Sequence, residues 1–150
     1  MNILIVDDEP AYRELLKTTL RLEGWDVSSA ADGVEGLQRL SETKVDCIVS
    51  DIYMPNMDGL KFHAQVRSMP DFAATPFLFI SGHADQATLA ALTKSRNDGF
   101  FQKTQSLKLF KDWVRYLTTP IAMRPSRPPE ENRLPSEYAR NRDMNSHKRR

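Results

Sequence analysis

The sequence predicts an α/β fold in which a parallel five-stranded sheet carries helices on both faces. Short apolar runs alternate five times with segments whose apolar residues repeat at helical spacing, the pattern of successive strand–helix–strand crossovers. Two of these runs, Ile3-Leu4-Ile5-Val6 and Phe77-Leu78-Phe79-Ile80, are apolar without interruption, as strands buried on both faces require. Several runs end abruptly in polar residues, so chemistry-bearing side chains gather at strand ends.

The elements follow in order. Ile3 to Val6 is the first strand and stops at Asp7-Asp8-Glu9-Pro10. Proline suits the opening turn of a helix, and acidic residues suit its positive end. Tyr12, Leu15, Leu16, Thr19 and Leu20 then recur at helical spacing until Gly24. Asp26 to Ala30 is short and polar, which places it at an edge of the sheet. Asp32 caps a second helix, with Glu35 three residues on and Val34, Leu37 and Leu40 facing inward. The third strand ends at Asp51, and Pro55 and Gly59 mark the loop behind it. A third helix from Asp58 has Leu60, Phe62, His63 and Val66 as its apolar or semi-apolar positions. The fourth strand ends at Ser81-Gly82-His83, and an alanine-rich helix follows around Ala87, Leu89, Ala90, Ala91 and Leu92. Gly99 to Gln102 is a fifth strand ending at Lys103, and a last helix spans about Ser106 to Leu117.

Charge is unevenly placed. Residues 1–123 carry 13 lysines and arginines against 16 acidic residues, and residues 124–150 carry 8 against 4. An acidic body of residues 1–118 therefore precedes a basic tail, 119–150. Pro120, Pro125, Pro128, Pro129 and Pro135 punctuate that tail, which has no apolar period and reads as disordered. It is too short for a DNA-binding domain of its own. Its end, His147-Lys148-Arg149-Arg150, reads as solvated, as a weak phosphate contact or as a docking peptide. The single cysteine, Cys47, falls inside the third strand as a small apolar residue and excludes an internal disulfide. Neither a signal-peptide core nor a membrane span is present, so a cytoplasmic location without membrane association is expected. His63, His83 and His147 lack metal-ligand spacing, and His63 reads as a packing residue.

Right-handed crossovers bring all five carboxyl ends to one sheet edge, where open α/β sheets bind ligands. Asp7, Asp8, Asp51, Ser81 and Lys103 follow the ends of four strands and converge there. Three carboxylates held together must take up a proton or a cation. Hard oxygen ligands suit Mg²⁺, while a lysine point charge and a serine hydroxyl suit phosphoryl oxygens. The set reads as a phosphoryl-transfer site with one aspartate as nucleophile.

Four motifs stand in order: Ile3-Leu4-Ile5-Val6-Asp7-Asp8-Glu9, Asp51-Ile52-Tyr53-Met54-Pro55-Asn56-Met57-Asp58-Gly59, Phe79-Ile80-Ser81-Gly82-His83-Ala84 and Phe101-Gln102-Lys103. Through them, residues 1–118 resemble the receiver domain of two-component response regulators. The resemblance implies a flavodoxin-like (βα)5 sandwich, doubly wound, with strand order 2-1-3-4-5. It makes Asp51 the phosphoacceptor, supplied by the phosphohistidine of a sensor histidine kinase or histidine phosphotransfer protein. It makes Asp8 and Asp51 direct Mg²⁺ ligands together with the backbone carbonyl of Tyr53, and Asp7 a ligand through water. Lys103 and Ser81 then hold phosphoryl oxygens. Ser81 and Phe100 form the switch that repacks the face of the fourth helix, fifth strand and fifth helix. Tyr53 and His83 tune dephosphorylation, with Tyr53 shielding the acyl phosphate from water. Two positions depart from the family. Thr104 follows Lys103 where proline is usual, which leaves the geometry of that loop open, and Phe100 replaces a frequent tyrosine.

The last helix carries two apolar stripes. Leu107, Phe110, Val114 and Leu117 form one; Leu109, Trp113 and Tyr116 form the other. The second is either covered by the tail or offered to a partner or a second copy of the chain. The whole reads as a stand-alone, single-domain receiver. It would be a magnesium-dependent phosphoprotein of a phosphorelay, not an enzyme in its own right, and would signal to an unidentified downstream protein. The alternatives are a receiver-fold scaffold that is never phosphorylated, and a flavodoxin-like redox carrier.

Overall fold

Five strands, β1 (Asn2–Val6), β2 (Asp26–Ala30), β3 (Cys47–Asp51), β4 (Phe77–Ser81) and β5 (Asp98–Gln102), pair in parallel in the order β2-β1-β3-β4-β5. The structure, a computed structural model, describes residues 1–83, 92 and 95–130. Its described α-helices are α1 (Pro10–Arg21), α2 (Gly33–Glu42), α3 (Gly59–Ser68) and the last helix (Leu107–Thr118). The expected alanine-rich helix lies outside the described residues apart from Leu92, as do residues 131–150 with His147 and the basic end. No described helix is long and apolar enough to cross a membrane.

Because side chains alternate along a strand, each central strand feeds two cores. Ile3, Ile5, Cys47, Val49, Leu78, Ile80 and Phe101 face α1 and the last helix, meeting Leu16, Leu20, Phe110, Val114 and Leu117. Leu4, Val6, Ile48, Phe77 and Phe79 face the other way, toward Leu40 of α2 and Phe62 and Val66 of α3. The polar strand β2 sits at the edge, as its composition predicts. Cys47 is wholly buried, and burial pushes its thiol up to about 12, so it behaves as a core side chain.

Caps fix where the helices begin. Asp32 Oδ1 accepts the Glu35 N–H at 2.9 Å, Asp58 Oδ1 the Lys61 N–H at 2.8 Å, and Ser106 Oγ the Leu109 N–H at 3.2 Å. Each such cap is worth about 1 kcal/mol. Glu35 answers by accepting the Ala31 N–H at 3.0 Å, one residue ahead of the cap. At the end of α1, Gly24 turns the chain with φ of 85°, a conformation glycine adopts without a Cβ clash.

One inward-facing expectation is corrected: Val34 is 54% exposed, and Leu15 and Leu60 are exposed as well. The buried faces run through Gly33, Gly36 and Leu40 in α2, and through Gly59, Phe62 and Val66 in α3. Glycines hold these positions because another group fills the space of their missing side chain: Met57 packs on Gly33, and Phe62 on Gly36. His63 is a partnered packing residue. It packs edge-on against Phe77 and at a tilt against Phe79, with centroids 4.8 and 5.0 Å away, and its Nε2 lies 3.1 Å from Asp98 Oδ2.

Where the tail begins, the chain is tied to the end of the last helix by Arg124. Its guanidinium donates to the Thr119 and Leu117 carbonyls at 2.8 Å each and to the Arg96 carbonyl, and stacks 5.1 Å over the Tyr116 ring. Carbonyls at a helix end lack intrahelical donors, so one arginine with several N–H groups satisfies them.

Candidate functional site

Register alone assembles the site. β1 and β3 pair so that Val6 stands beside Ser50, and the next residue on each strand is an aspartate, Asp7 and Asp51. Asp51 stands beside Ile80, Ser81 follows, and Ser81 stands beside Gln102, whose successor is Lys103. The side chains that end four strands therefore share one edge.

Asp7 is fully buried and Asp51 is 6% exposed, whereas Asp8 faces solvent. One carboxylate oxygen from each of the three lies within 4.8 Å of the other two. Lys103 Nζ donates to Asp51 Oδ2 at 2.8 Å, and lies 2.9 Å from Asp7 Oδ2 and 3.8 Å from Glu9 Oε2. Its ammonium also sits 4.6 Å from the centre of the Tyr12 ring. The turn after β1 holds Asp7 in place: its Oδ1 accepts the Glu9 N–H at 2.8 Å, and Arg13 donates to its backbone carbonyl at 2.6 Å.

The electrostatics follow from burial. Burial pushes the Asp7 carboxyl above its ordinary 3.8, against the opposing pull of the Glu9 N–H and Lys103. Burial would lower the Lys103 ammonium, but its contacts with the Asp51 and Asp7 carboxylates and their charges outweigh it, so Lys103 titrates above an ordinary lysine. Asp7 Oδ2 is buried and accepts no hydrogen bond among the described residues; the lysine ammonium is its ion-pair partner. One lysine thus faces three carboxylates. An all-oxygen set with one solvent-facing member fits a hard divalent cation that keeps part of its water.

A test of this charge imbalance is Asp7→Asn. In the metal-free protein, the raised carboxyl adds stability below about 3.8 that is lost as pH rises through its folded value. At pH 7 that cost is present, and the amide removes it while keeping the acceptor for the Glu9 N–H. Thermal unfolding in chelator at pH 7 should show the variant more stable by on the order of 1 kcal/mol, a few degrees in Tm. Stabilisation of the wild type by added divalent cation should shrink in the same variant.

The loop behind Asp51 is pinned at both ends. Tyr53 N–H donates to Asp51 Oδ1 at 3.2 Å, and Gly59 N–H to the Ile52 carbonyl at 2.7 Å. Asn56, with φ of 65°, donates to Asp32 Oδ2 at 2.8 Å, tying the loop to the α2 cap. The Tyr53 residue is 61% exposed. Ser81 is buried beside the site, but its hydroxyl donates to the His83 carbonyl at 2.9 Å and accepts the His83 N–H at 3.1 Å. His83 is exposed, and Phe100 is half-buried opposite Phe79.

Thr104 does not displace Lys103. The Lys103 N–H donates to the Ser81 carbonyl at 2.9 Å, and Gln105 closes the turn by accepting the Gln102 N–H at 3.0 Å. The last helix corrects one expectation: Leu109 is 3% exposed and belongs to the core, so it cannot form part of an outward stripe. Trp113 and Tyr116 stay partly exposed, with rings 5.7 Å apart. Trp113 leans on Gly99, where an added Cβ would meet its ring at 2.7 Å. Tyr12 and Glu9 also border the site; in the sequence their one signal is adjacency to the acidic pair, since both read as ordinary opening residues of a helix.

Comparison with known proteins bears on this arrangement. The response regulator receiver domain family matches residues 3–115. The transcriptional regulatory protein TrcR of Mycobacterium tuberculosis is 35% identical over 108 residues, which is 72% of this chain and 41% of that protein. The sensor kinase CckA of Brucella abortus is 38% identical over 117 residues, 76% of this chain and 12% of that protein. The chain thus spans less than half the length of either relative. The chemotaxis response regulator CheY4 of Vibrio cholerae has a solved structure with 30% identity and a TM-score of 0.66, covering 76% of this chain and 96% of that one. The signal receiver domain of a signal transduction histidine kinase from Syntrophus aciditrophicus gives 28% identity and a TM-score of 0.71, covering 84% and 96%.

Proposed function

From this chain's membership of the response regulator receiver domain family, we propose that it is a phosphorylatable switch whose acceptor is Asp51. The observation that carries the proposal is the ammonium of Lys103, 2.8 Å from Asp51 Oδ2 and 2.9 Å from Asp7 Oδ2, at an edge where three carboxylates converge. The donor is the phosphohistidine of a sensor histidine kinase or a histidine phosphotransfer protein. A carboxylate oxygen of Asp51 attacks phosphorus, the phosphorus–nitrogen bond breaks, and its electron pair returns to the imidazole. The product is an acyl phosphate on Asp51.

Each neighbour has a role in that step. Lys103 stays protonated and exchanges its Asp51 contact for a phosphoryl oxygen. Asp8, Asp51 and the Tyr53 backbone carbonyl would hold Mg²⁺, with Asp7 contributing through water, and the bound ion would supply further positive charge against the phosphoryl oxygens. Ser81 turns its hydroxyl from the His83 carbonyl to another phosphoryl oxygen, and half-buried Phe100 follows inward. Phe100 packs on the α3 side of the sheet, while its β5 neighbours Gly99 and Phe101 meet the last helix, so a shift of β5 would carry the repacking to a face including Trp113 and Tyr116, where a downstream protein or a second copy of the chain would read it. A cytoplasmic location belongs to the same reading.

The test is intact mass after incubation with phosphoramidate, with and without Mg²⁺. A Mg²⁺-dependent phosphoryl adduct is expected, absent from Asp51→Asn. Failure of both a small donor and a kinase to label the folded protein would favour the unphosphorylated scaffold. Tyr53, exposed beside the acceptor, is expected to slow hydrolysis of the acyl phosphate by covering it. Tyr53→Asn should therefore lose phosphate several-fold faster; an unchanged lifetime would remove that role.

A further inference from the structure

Lys103 approaches the acidic cluster on four flexible methylene groups, and carboxylates alone do not fix where its ammonium rests. Asp51, Asp7 and Glu9 all draw on it, at 2.8, 2.9 and 3.8 Å. On another side lies the ring of Tyr12, an α1 residue, with its centre 4.6 Å from Nζ. The Tyr12 hydroxyl is buried and has no hydrogen-bond partner among the described residues. Tyr12 itself is partly buried, and with its enclosed hydroxyl unpaired, the contact it makes with the site is that of its ring. Burial pushes that phenol up to about 12, so the ring stays neutral and its negative face remains available to a cation.

We propose that Tyr12 is a positioning residue for phosphotransfer at Asp51: its ring face holds the Lys103 ammonium between Asp7 and Asp51 and keeps it there as its contacts pass to the phosphoryl group. A ring face suits this task because its attraction for a cation does not depend on one bond direction. The ammonium can shift from carboxylate to phosphoryl oxygen without leaving the ring. This inference rests on the phosphotransfer reading of Asp51, but the geometry it claims can be measured without phosphate.

The experiment uses the full chain with Tyr12→Phe and Tyr12→Leu. In ¹H–¹³C spectra, the Lys103 ε-methylene protons should lie upfield through the ring current in the wild type and in Tyr12→Phe, and return toward ordinary lysine values in Tyr12→Leu. With phosphoramidate and Mg²⁺, Tyr12→Phe should be labelled within about twofold of the wild-type rate, because only an unpaired hydroxyl is lost. Tyr12→Leu should be slower by roughly 5- to 30-fold, the range of a partly desolvated cation–π contact. Unshifted Lys103 protons in the wild type would overturn the inference by themselves, whether or not the leucine variant folds. Equal slowing by Phe and Leu, or no slowing by a folded Leu variant, would also overturn it. A wild type that takes no phosphate, but shows the Lys103 shift, would overturn the phosphotransfer reading and leave the ring contact standing.

Discussion

Lys103→Met should slow phosphorylation of Asp51 by about 10²- to 10³-fold, the usual cost of removing one pre-placed donor to a developing anion. Lys103 is the cation that the described residues place against both Asp7 and Asp51. Methionine keeps much of the stem volume, so packing against Tyr12 survives while the charge does not. With the lysine gone, three carboxylates face one another without a counter-charge, and binding of a divalent cation should tighten as phosphotransfer fails. Tighter metal with slower transfer separates this outcome from simple unfolding. The lysine's pairing also has a defined pH range. Its folded pKa lies above the ordinary 10.5, so the stability it contributes is complete below that value and is lost only as pH rises through the higher folded one. Between pH 6 and pH 9 the labelling rate should therefore show no titration from Lys103. A rate for Lys103→Met within threefold of the wild type would contradict its assigned role.

Gly59→Ala should cost about 3–5 kcal/mol of stability, a large share of what a domain of this size possesses. Gly59 begins α3 directly behind the Asp58 cap, and its backbone N–H returns to the Ile52 carbonyl at 2.7 Å. A Cβ there would stand 2.1 Å from the Asp51 carbonyl oxygen and 2.8 Å from Ile52 Cα. Both obstacles are backbone, which cannot rotate aside as a side chain can. The clash must move either α3 or the end of β3, and the end of β3 carries Asp51, the proposed acceptor. Chemical denaturation should show the loss, and any folded fraction should be labelled slowly. Gly24→Ala serves as a comparison. An added Cβ meets nothing within 4 Å there, and the cost is confined to the positive φ of 85°, about 1 kcal/mol. Equal losses at both positions would refute the close-approach explanation.

The parts of the fold visible in the sequence were those set by strand chemistry. Ile3 to Val6 and Phe77 to Ile80 announce strands buried on both faces, and a parallel register then brings Asp7, Asp51, Ser81 and Lys103 to one edge without further information. The helices were less legible because their buried faces run through glycines. A count of apolar residues selects Val34 and Leu60, whereas the packing selects Gly33, Gly36 and Gly59, whose value lies in what they leave room for. Leu109 misled for a related reason: the apolar face of the last helix is wide, and the core takes more of it than one stripe. Long-range pairings were not legible at all. Nothing local to Tyr12 indicates that Lys103 will lie over it, and nothing in the composition of residues 119–130 indicates that Arg124 will satisfy carbonyls at the end of the last helix. The half-buried His63–Asp98–Arg67 cluster, with Arg67 2.6 Å from Asp98 Oδ1, belongs to the same class.

The central claim is that phosphate forms an acyl bond at Asp51, and borohydride trapping reads that bond directly. Hydride reduces an acyl phosphate at aspartate to homoserine, which tandem mass spectrometry locates in the sequence. After phosphoramidate and Mg²⁺, conversion is expected at position 51, with none when donor or Mg²⁺ is withheld. Conversion at Asp7 or Asp8 instead, or a phosphoryl adduct that resists hydride because it sits on a hydroxyl or histidine, would contradict the assignment.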